Sequence, residues 1–85
     1  MAKYDLLIKS AAVRELEQLP RKDRMRVAQK IQGLAVEPRP HGCEKLSAEE
    51  KYRIRQGNYR IVYSVNDREQ AVLVVKIGHR KEVYR

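Results

Sequence analysis

The chain changes its hydrophobic period once. Up to about residue 36 the apolar side chains recur at helical spacing, and beyond residue 50 they alternate. Tyr4-Asp5-Leu6-Leu7-Ile8-Lys9 is short and apolar in its middle, which predicts a buried strand. Ser10 then stands where an N-cap belongs, ahead of Val13, Leu16 and Leu19 in one stripe that Ala12 widens. Pro20 interrupts that helix, and its fixed φ and missing N–H suit the first turn of another. From Arg21 to Ala35, Val27, Ala28, Ile31, Leu34 and Ala35 share a face, with Arg21, Lys22, Arg26 and Lys30 mostly turned away. The pattern predicts a helical hairpin.

Glu37-Pro38-Arg39-Pro40-His41-Gly42 is the clearest breaker, with two prolines and a glycine in six residues. It reads as a loop inside one domain spanning residues 1–85, because neither side could bury a core alone. After it, Lys51-Tyr52-Arg53-Ile54-Arg55 alternates, and Tyr59-Arg60-Ile61-Val62-Tyr63-Ser64-Val65 continues with a β-branched and aromatic bias. Gln56-Gly57-Asn58 between them signals a hairpin with Gly57 at the first central position of a II′ turn. Asn66 to Gln70 is a second turn, and Ala71 to Ile77 is a near-continuous apolar strand suited to a sheet interior. The expected fold class is α+β: a strand, a helical hairpin and an antiparallel β-meander, the helices covering one face of the sheet and leaving the other exposed.

Composition narrows the function. Five tyrosines are the only aromatics, so the core must be aliphatic and each phenol will want a partner. One cysteine, Cys43, excludes an internal disulfide, and no run approaches the roughly 20 apolar residues a membrane span needs. The expected compartment is therefore the cytoplasm. Net charge is +8, carried as 10 Lys/Arg against 8 Asp/Glu in residues 1–50 and 9 against 3 in residues 51–85. Solubility alone would account for a positive total. Its concentration in one half points to a polyanion instead, and no basic amphipathic helix lies there to favour a membrane surface.

The hairpin makes that reading sharper. With Gly57 and Asn58 as loop residues, Arg55 faces Arg60, Ile54 faces Ile61, Arg53 faces Val62 and Tyr52 faces Tyr63. Alternation then puts Tyr52, Ile54, Ile61 and Tyr63 under the helices, and Arg53, Arg55 and Arg60 together on the open side. A like-charge pair directly opposite destabilises a sheet, and is tolerated most easily where an anion lies between. A loop of about five residues would bring Lys76 beside Arg60, and Gly78-His79-Arg80-Lys81-Glu82-Val83-Tyr84-Arg85 adds a further basic cluster, with Lys81 beside Arg80.

Several chemistries are poorly served. His41, Cys43 and His79 are too few and too scattered for a metal site, Glu49 and Glu50 are adjacent and point apart, and no phosphate loop or nucleophile elbow occurs. One reaction suits arginine, tyrosine and histidine. RNA carries its own nucleophile, the 2′-hydroxyl, so a protein need only align it, take its proton, stabilise the phosphorane and protonate the leaving 5′-oxygen. Arginine forks match phosphate oxygens, and cations nearby favour phenolate at a tyrosine.

The order of elements, "KYRIRQGNYRIVYSV" and the closing "KIGHRKEVYR" resemble the RelE branch of the RelE/ParE toxin superfamily over nearly the whole chain. The resemblance implies a toxin of a type II toxin–antitoxin system, an endoribonuclease that cuts mRNA in the ribosomal A site to leave a 2′,3′-cyclic phosphate. Its partners would be the 70S ribosome with mRNA and a RelB-like antitoxin, acidic or amphipathic at its C-terminal segment, with no metal or other cofactor. Arg53 and Arg55 match a basic pair on the scissile phosphate, which are lysines in the best-known member. Arg60 matches the arginine that stabilises the transition state, Arg80 a phosphate binder or leaving-group acid, and Tyr84 the general base. His79, beside Arg80 as in many relatives, shares the acid–base role, leaving Tyr84 and His79 as alternatives for the base. Lys76 and Lys81 complete the expected substrate contacts. Tyr84 stands one residue from the end, where the archetype continues into a helix, so it is expected to gain order from ribosome or antitoxin. Two other readings are a ParE-like inhibitor of DNA gyrase on the same fold and a plain nucleic-acid-binding module.

Overall fold

The computed structural model describes residues 3–46 and 50–79. In chain order these form β1 (Asp5–Ile8), α1 (Ser10–Glu17), α2 (Arg21–Leu34), β2 (Glu44–Leu46), β3 (Lys51–Gln56), β4 (Tyr59–Asn66) and β5 (Ala71–His79). The strands make one sheet in the order β1-β5-β4-β3-β2. β1 runs parallel to β5, and every other pairing is antiparallel. Both helices lie on the same face, so the α+β class and the strand–hairpin–meander order read from the periodicity hold.

The core is where the two periods meet. Ala12, Val27, Ile31 and Leu34 come down from the helices onto Ile54, Ile61, Tyr63, Val65, Val72, Val74 and Ile77 of the sheet. With no Trp or Phe available, the tyrosines supply the large buried surfaces: Tyr63 is fully enclosed and stacks 5.8 Å from Tyr52.

Three features differ from the sequence expectation. β1 is an edge strand, not a buried one: Leu6 and Ile8 pack on the core while Leu7 stays 55% exposed. A Leu-Leu-Ile run looks the same whether one face is covered or both. The helical hairpin carries the chain from β1 to β2 at the far edge, and the antiparallel meander then brings β5 back alongside β1 in the parallel sense. β2, three residues long on the opposite edge, is too short to show a period of its own. At the helix starts, Lys9 rather than Ser10 occupies the N-cap of α1, and Pro20 is the N-cap of α2, one residue ahead of its first turn.

The proline-rich loop between α2 and β2 is fixed by polar contacts. The buried Tyr63 hydroxyl donates to the Pro38 carbonyl at 2.7 Å. Arg39 donates through both terminal nitrogens to Asp67 in the β4–β5 turn, at 3.1 and 2.8 Å, and through Nε to the Tyr52 hydroxyl at 2.9 Å. The Tyr4 hydroxyl donates to the same Asp67 carboxylate at 2.7 Å. One guanidinium therefore joins the loop to β3 and to a turn at the far end of the hairpins, and its planar fork is what lets it hold a carboxylate by two bonds. Those bonds from Arg39 and Tyr4 keep the Asp67 carboxyl below the usual carboxylate range. The end of this loop, at Gly42, forms part of the site.

Candidate functional site

The β3–β4 hairpin closes in the register that alternation predicts. Arg55 is opposite Arg60, Ile54 opposite Ile61, Arg53 opposite Val62 and Tyr52 opposite Tyr63. Gly57 takes a positive φ of 60°, as the first central residue of a II′ turn must, and Asn58 does not. The three arginines consequently share the face away from the helices.

That face is not flat. Arg53, Arg55 and Arg60, together with Gly42 and Glu44, line a cleft of about 330 Å³. β2 and the end of the proline loop make one wall, and Gly78 of β5 stands opposite Arg60. Arg60 is only 4% exposed, so it is not an ordinary solvent-facing arginine. Arg55 is exposed and Arg53 is intermediate. Three guanidinium groups in so small a space repel one another, and burial strengthens the repulsion by lowering the dielectric. Glu44 offsets part of it. It sits directly opposite Arg53 in the β2–β3 pairing, and its Oε1 accepts a 2.6 Å bond from an Arg53 terminal nitrogen. That bond first, with the charges of Arg53, Arg60 and Arg55 behind it, holds the Glu44 carboxyl below its ordinary range. Among the described residues, one carboxylate against three arginines leaves the lining positive, which suits an anion.

Glu44 is the functional candidate the sequence reading missed. Its signal is faint: a charge opposite to that of Arg53, nine positions away, which matters only once a strand at residues 44–46 is known to exist.

Lys76 is corrected. The β4–β5 register shifts between Val62 and Tyr63, and Lys76 is opposite Val62 while Gly78 is opposite Arg60. An extra residue on β5 breaks the simple count from the turn. The Lys76 ammonium lies 3.1 Å from Glu15 of α1, whose other oxygen accepts the Ile77 backbone N–H at 2.9 Å. Lys76 is thus committed to the free edge of β5, not to the arginine cleft.

His79 is corrected as well. It pairs with Tyr59, which like Ile61 and Tyr63 faces the helices. The two rings meet edge to face at 6.0 Å, and the Tyr59 hydroxyl donates to Asp23 of α2. With Glu15, Gln18 and Leu19 they line a separate cleft of about 260 Å³ on the helix side. Alternation, which gathered the arginines, separates His79 from them, so a direct acid–base role for it at the arginine cleft has no geometric support. Arg80, Lys81 and Tyr84, and the carboxylate Glu49, lie outside the described residues.

A family model described as the ParE toxin of the type II toxin–antitoxin system ParDE matches residues 6–84, almost the full chain. The chain belongs to this toxin family. Solved structures place the toxin within the wider RelE/ParE superfamily. It superposes on the RelE–RelB complex of Pyrococcus horikoshii with a TM-score of 0.80 and 27% identity, over 92% of this chain and 96% of that one. For the RelBE2 toxin–antitoxin complex of Mycobacterium tuberculosis the TM-score is 0.80 at 26% identity, over 92% and 99%. For the intact Escherichia coli RelBE complex it is 0.79 at 26%, over 89% and 95%. No match was found among curated proteins. Among the described residues of the toxin, no helix is long and apolar enough to cross a membrane.

Proposed function

We propose that this toxin is a cytoplasmic, ribosome-dependent endoribonuclease that cuts mRNA in the A site without a metal. The observation that carries the reading is the convergence of Arg53, Arg55 and Arg60 on one cleft, with Arg55 and Arg60 directly opposed. A binding module that only touched its partner's surface would gain nothing from enclosing an arginine to 4% exposure between two others. A site for a phosphorane would, because charge developing there meets donors already in place.

In this mechanism Arg53 and Arg55 grip the scissile phosphate and bring it in line with the adjacent 2′-hydroxyl. The 2′-oxygen attacks phosphorus, its proton passing to the general base. Arg60 stabilises the charge that builds on the non-bridging oxygens, and the 5′-oxygen leaves with a proton, giving a 2′,3′-cyclic phosphate and a 5′-hydroxyl. The resemblance assigns the base to Tyr84 and makes Arg80 a phosphate binder or the leaving-group acid; Lys81, beside it in the basic cluster, would be a further substrate contact. The same resemblance, and the RelE–RelB complexes to which the toxin is similar, support a RelB-like antitoxin as the partner that holds it inactive.

A second reading is favoured by the family description itself, which is that of ParE. On that reading the toxin poisons DNA gyrase and the arginine cleft binds without cutting. One experiment separates the two. Purified toxin is added to ribosomes programmed with a defined A-site codon, and the mRNA ends are mapped. Cleavage within that codon, leaving a cyclic phosphate, supports the nuclease. Intact mRNA together with gyrase-dependent DNA breaks would establish the ParE reading instead.

A further inference from the structure

We propose that Glu44 is an internal occupant of the phosphate site, holding Arg53 in the free protein and giving up that guanidinium when an RNA phosphate enters the cleft. The inference rests on the reading of the cleft as a nucleic-acid site, but not on cleavage. Its basis is the arrangement of one pair. Glu44 and Arg53 are directly opposed across β2 and β3, 2.6 Å apart, and both line the cavity that Arg55 and Arg60 complete.

The two partners are held very differently. The Arg53 side chain is 15% exposed and the Glu44 side chain 63%. The cation is the fixed member, packed into the cleft, and the anion is the solvated one, on a three-residue edge strand. A carboxylate and a phosphate present the same pair of oxygens to a guanidinium fork. Exchange of one for the other therefore needs no rearrangement of Arg53, only a rotation of Glu44 into water. In the meantime Glu44 neutralises one of three crowded cations and lowers the cost of keeping Arg55 opposite Arg60.

A second role, as proton acceptor, fits less well. A carboxylate bonded this closely to arginine binds protons weakly, which lowers its driving force as a base. The occupant role also carries a selectivity consequence. Each RNA must compete with Glu44, so short, weakly held RNA is disfavoured and only an RNA presented with many additional contacts displaces it.

The test uses the full chain and a short single-stranded RNA carrying 2′-O-methyl groups throughout, which binds without being cut. Glu44→Gln keeps size and hydrogen-bonding capacity and removes the charge. Its dissociation constant for this RNA should fall about fivefold, the scale of a partly exposed ion pair, with a steeper salt dependence. Against an Arg53→Gln background the same change should give no such gain. An unchanged or weaker affinity for Glu44→Gln, or an equal gain without Arg53, overturns the proposal. So does loss of ribosomal cleavage at unchanged affinity, which would make Glu44 the proton acceptor. Tighter RNA binding by Glu44→Gln in a protein that never cleaves on the ribosome would sustain this inference and refute the nuclease.

Discussion

Arg55 and Arg60 stand directly opposite one another across the β3–β4 hairpin, and only one of them reaches water. Arg60 is buried to 4% exposure while Arg55 is exposed, so the pair consists of an enclosed charge and a free one facing the same cleft. Stability alone would select against this pairing. On the proposed function, a phosphate entering the cleft would relieve part of that repulsion.

Arg55→Gln should therefore raise stability and lower affinity together. Removing the like charge is expected to stabilise the hairpin by about 0.5 kcal/mol, or roughly 2–4 °C in melting temperature for a domain of this size. RNA binding should weaken, and its logarithmic salt dependence should shallow by about one charge. A variant that loses both stability and affinity would show that Arg55 is structural and the opposition incidental.

Arg60→Ala should lower the single-turnover rate on programmed ribosomes by about two orders of magnitude or more, with ribosome binding kept. Arg60→Lys should recover little, because an ammonium lacks the planar fork that spans two phosphate oxygens. Melting curves measured alongside separate a lost charge from a lost fold. Cleavage at the wild-type rate by Arg60→Ala would remove it from the chemistry.

The meander and the arginine face were legible because both follow from period-2 alternation and one recognisable turn. Gln56-Gly57-Asn58 set the β3–β4 register, and everything on that hairpin fell into place. The next hairpin is less readable: its extra residue sits inside the apolar run Val72 to Val75, where no polar position marks a change of phase, so a count from the turn gives Lys76 the wrong neighbour. His79 is hard to place for a related reason. Proximity to Arg80 in sequence implied a shared site, whereas strand geometry sends successive side chains to opposite faces. Glu44 and the Arg39–Asp67 bonds depend on contacts between segments far apart in the chain, or on a strand of only three residues, and local pattern carries no trace of either.

Gly57→Ala should destabilise the protein by about 1 kcal/mol. A Cβ at this position meets nothing within 4 Å, so the cost is the backbone's alone, from placing an L-residue at φ 60°. Gly57→Asn should cost less, since asparagine tolerates the left-handed region better. Urea midpoints for the two variants give the comparison. Equal losses would mean that the turn relaxes to another type, and RNA affinity would then fall with it because the Arg55–Arg60 register depends on that turn.

The alkaline limb of stability should belong mainly to Tyr63. Burial raises its phenol well above the usual value, and the neighbouring Cys43 adds to the shift. The hydrogen bonds that Tyr4 and Tyr59 donate to Asp67 and Asp23 raise theirs too. A phenol with a raised pKa in the fold holds its proton where the unfolded chain has released it. Its contribution is thus complete below the unfolded value of about 10 and is lost as pH rises beyond it, so unfolding free energy should fall with pH above that point. Tyr63→Phe removes the titrating group and should flatten this limb. At neutral pH the same change leaves the Pro38 carbonyl without its 2.7 Å donor, and is expected to cost about 1 kcal/mol. Wild-type and variant stability should then converge as pH climbs past 10. Parallel curves across that range would show that the buried phenol does not set the alkaline response.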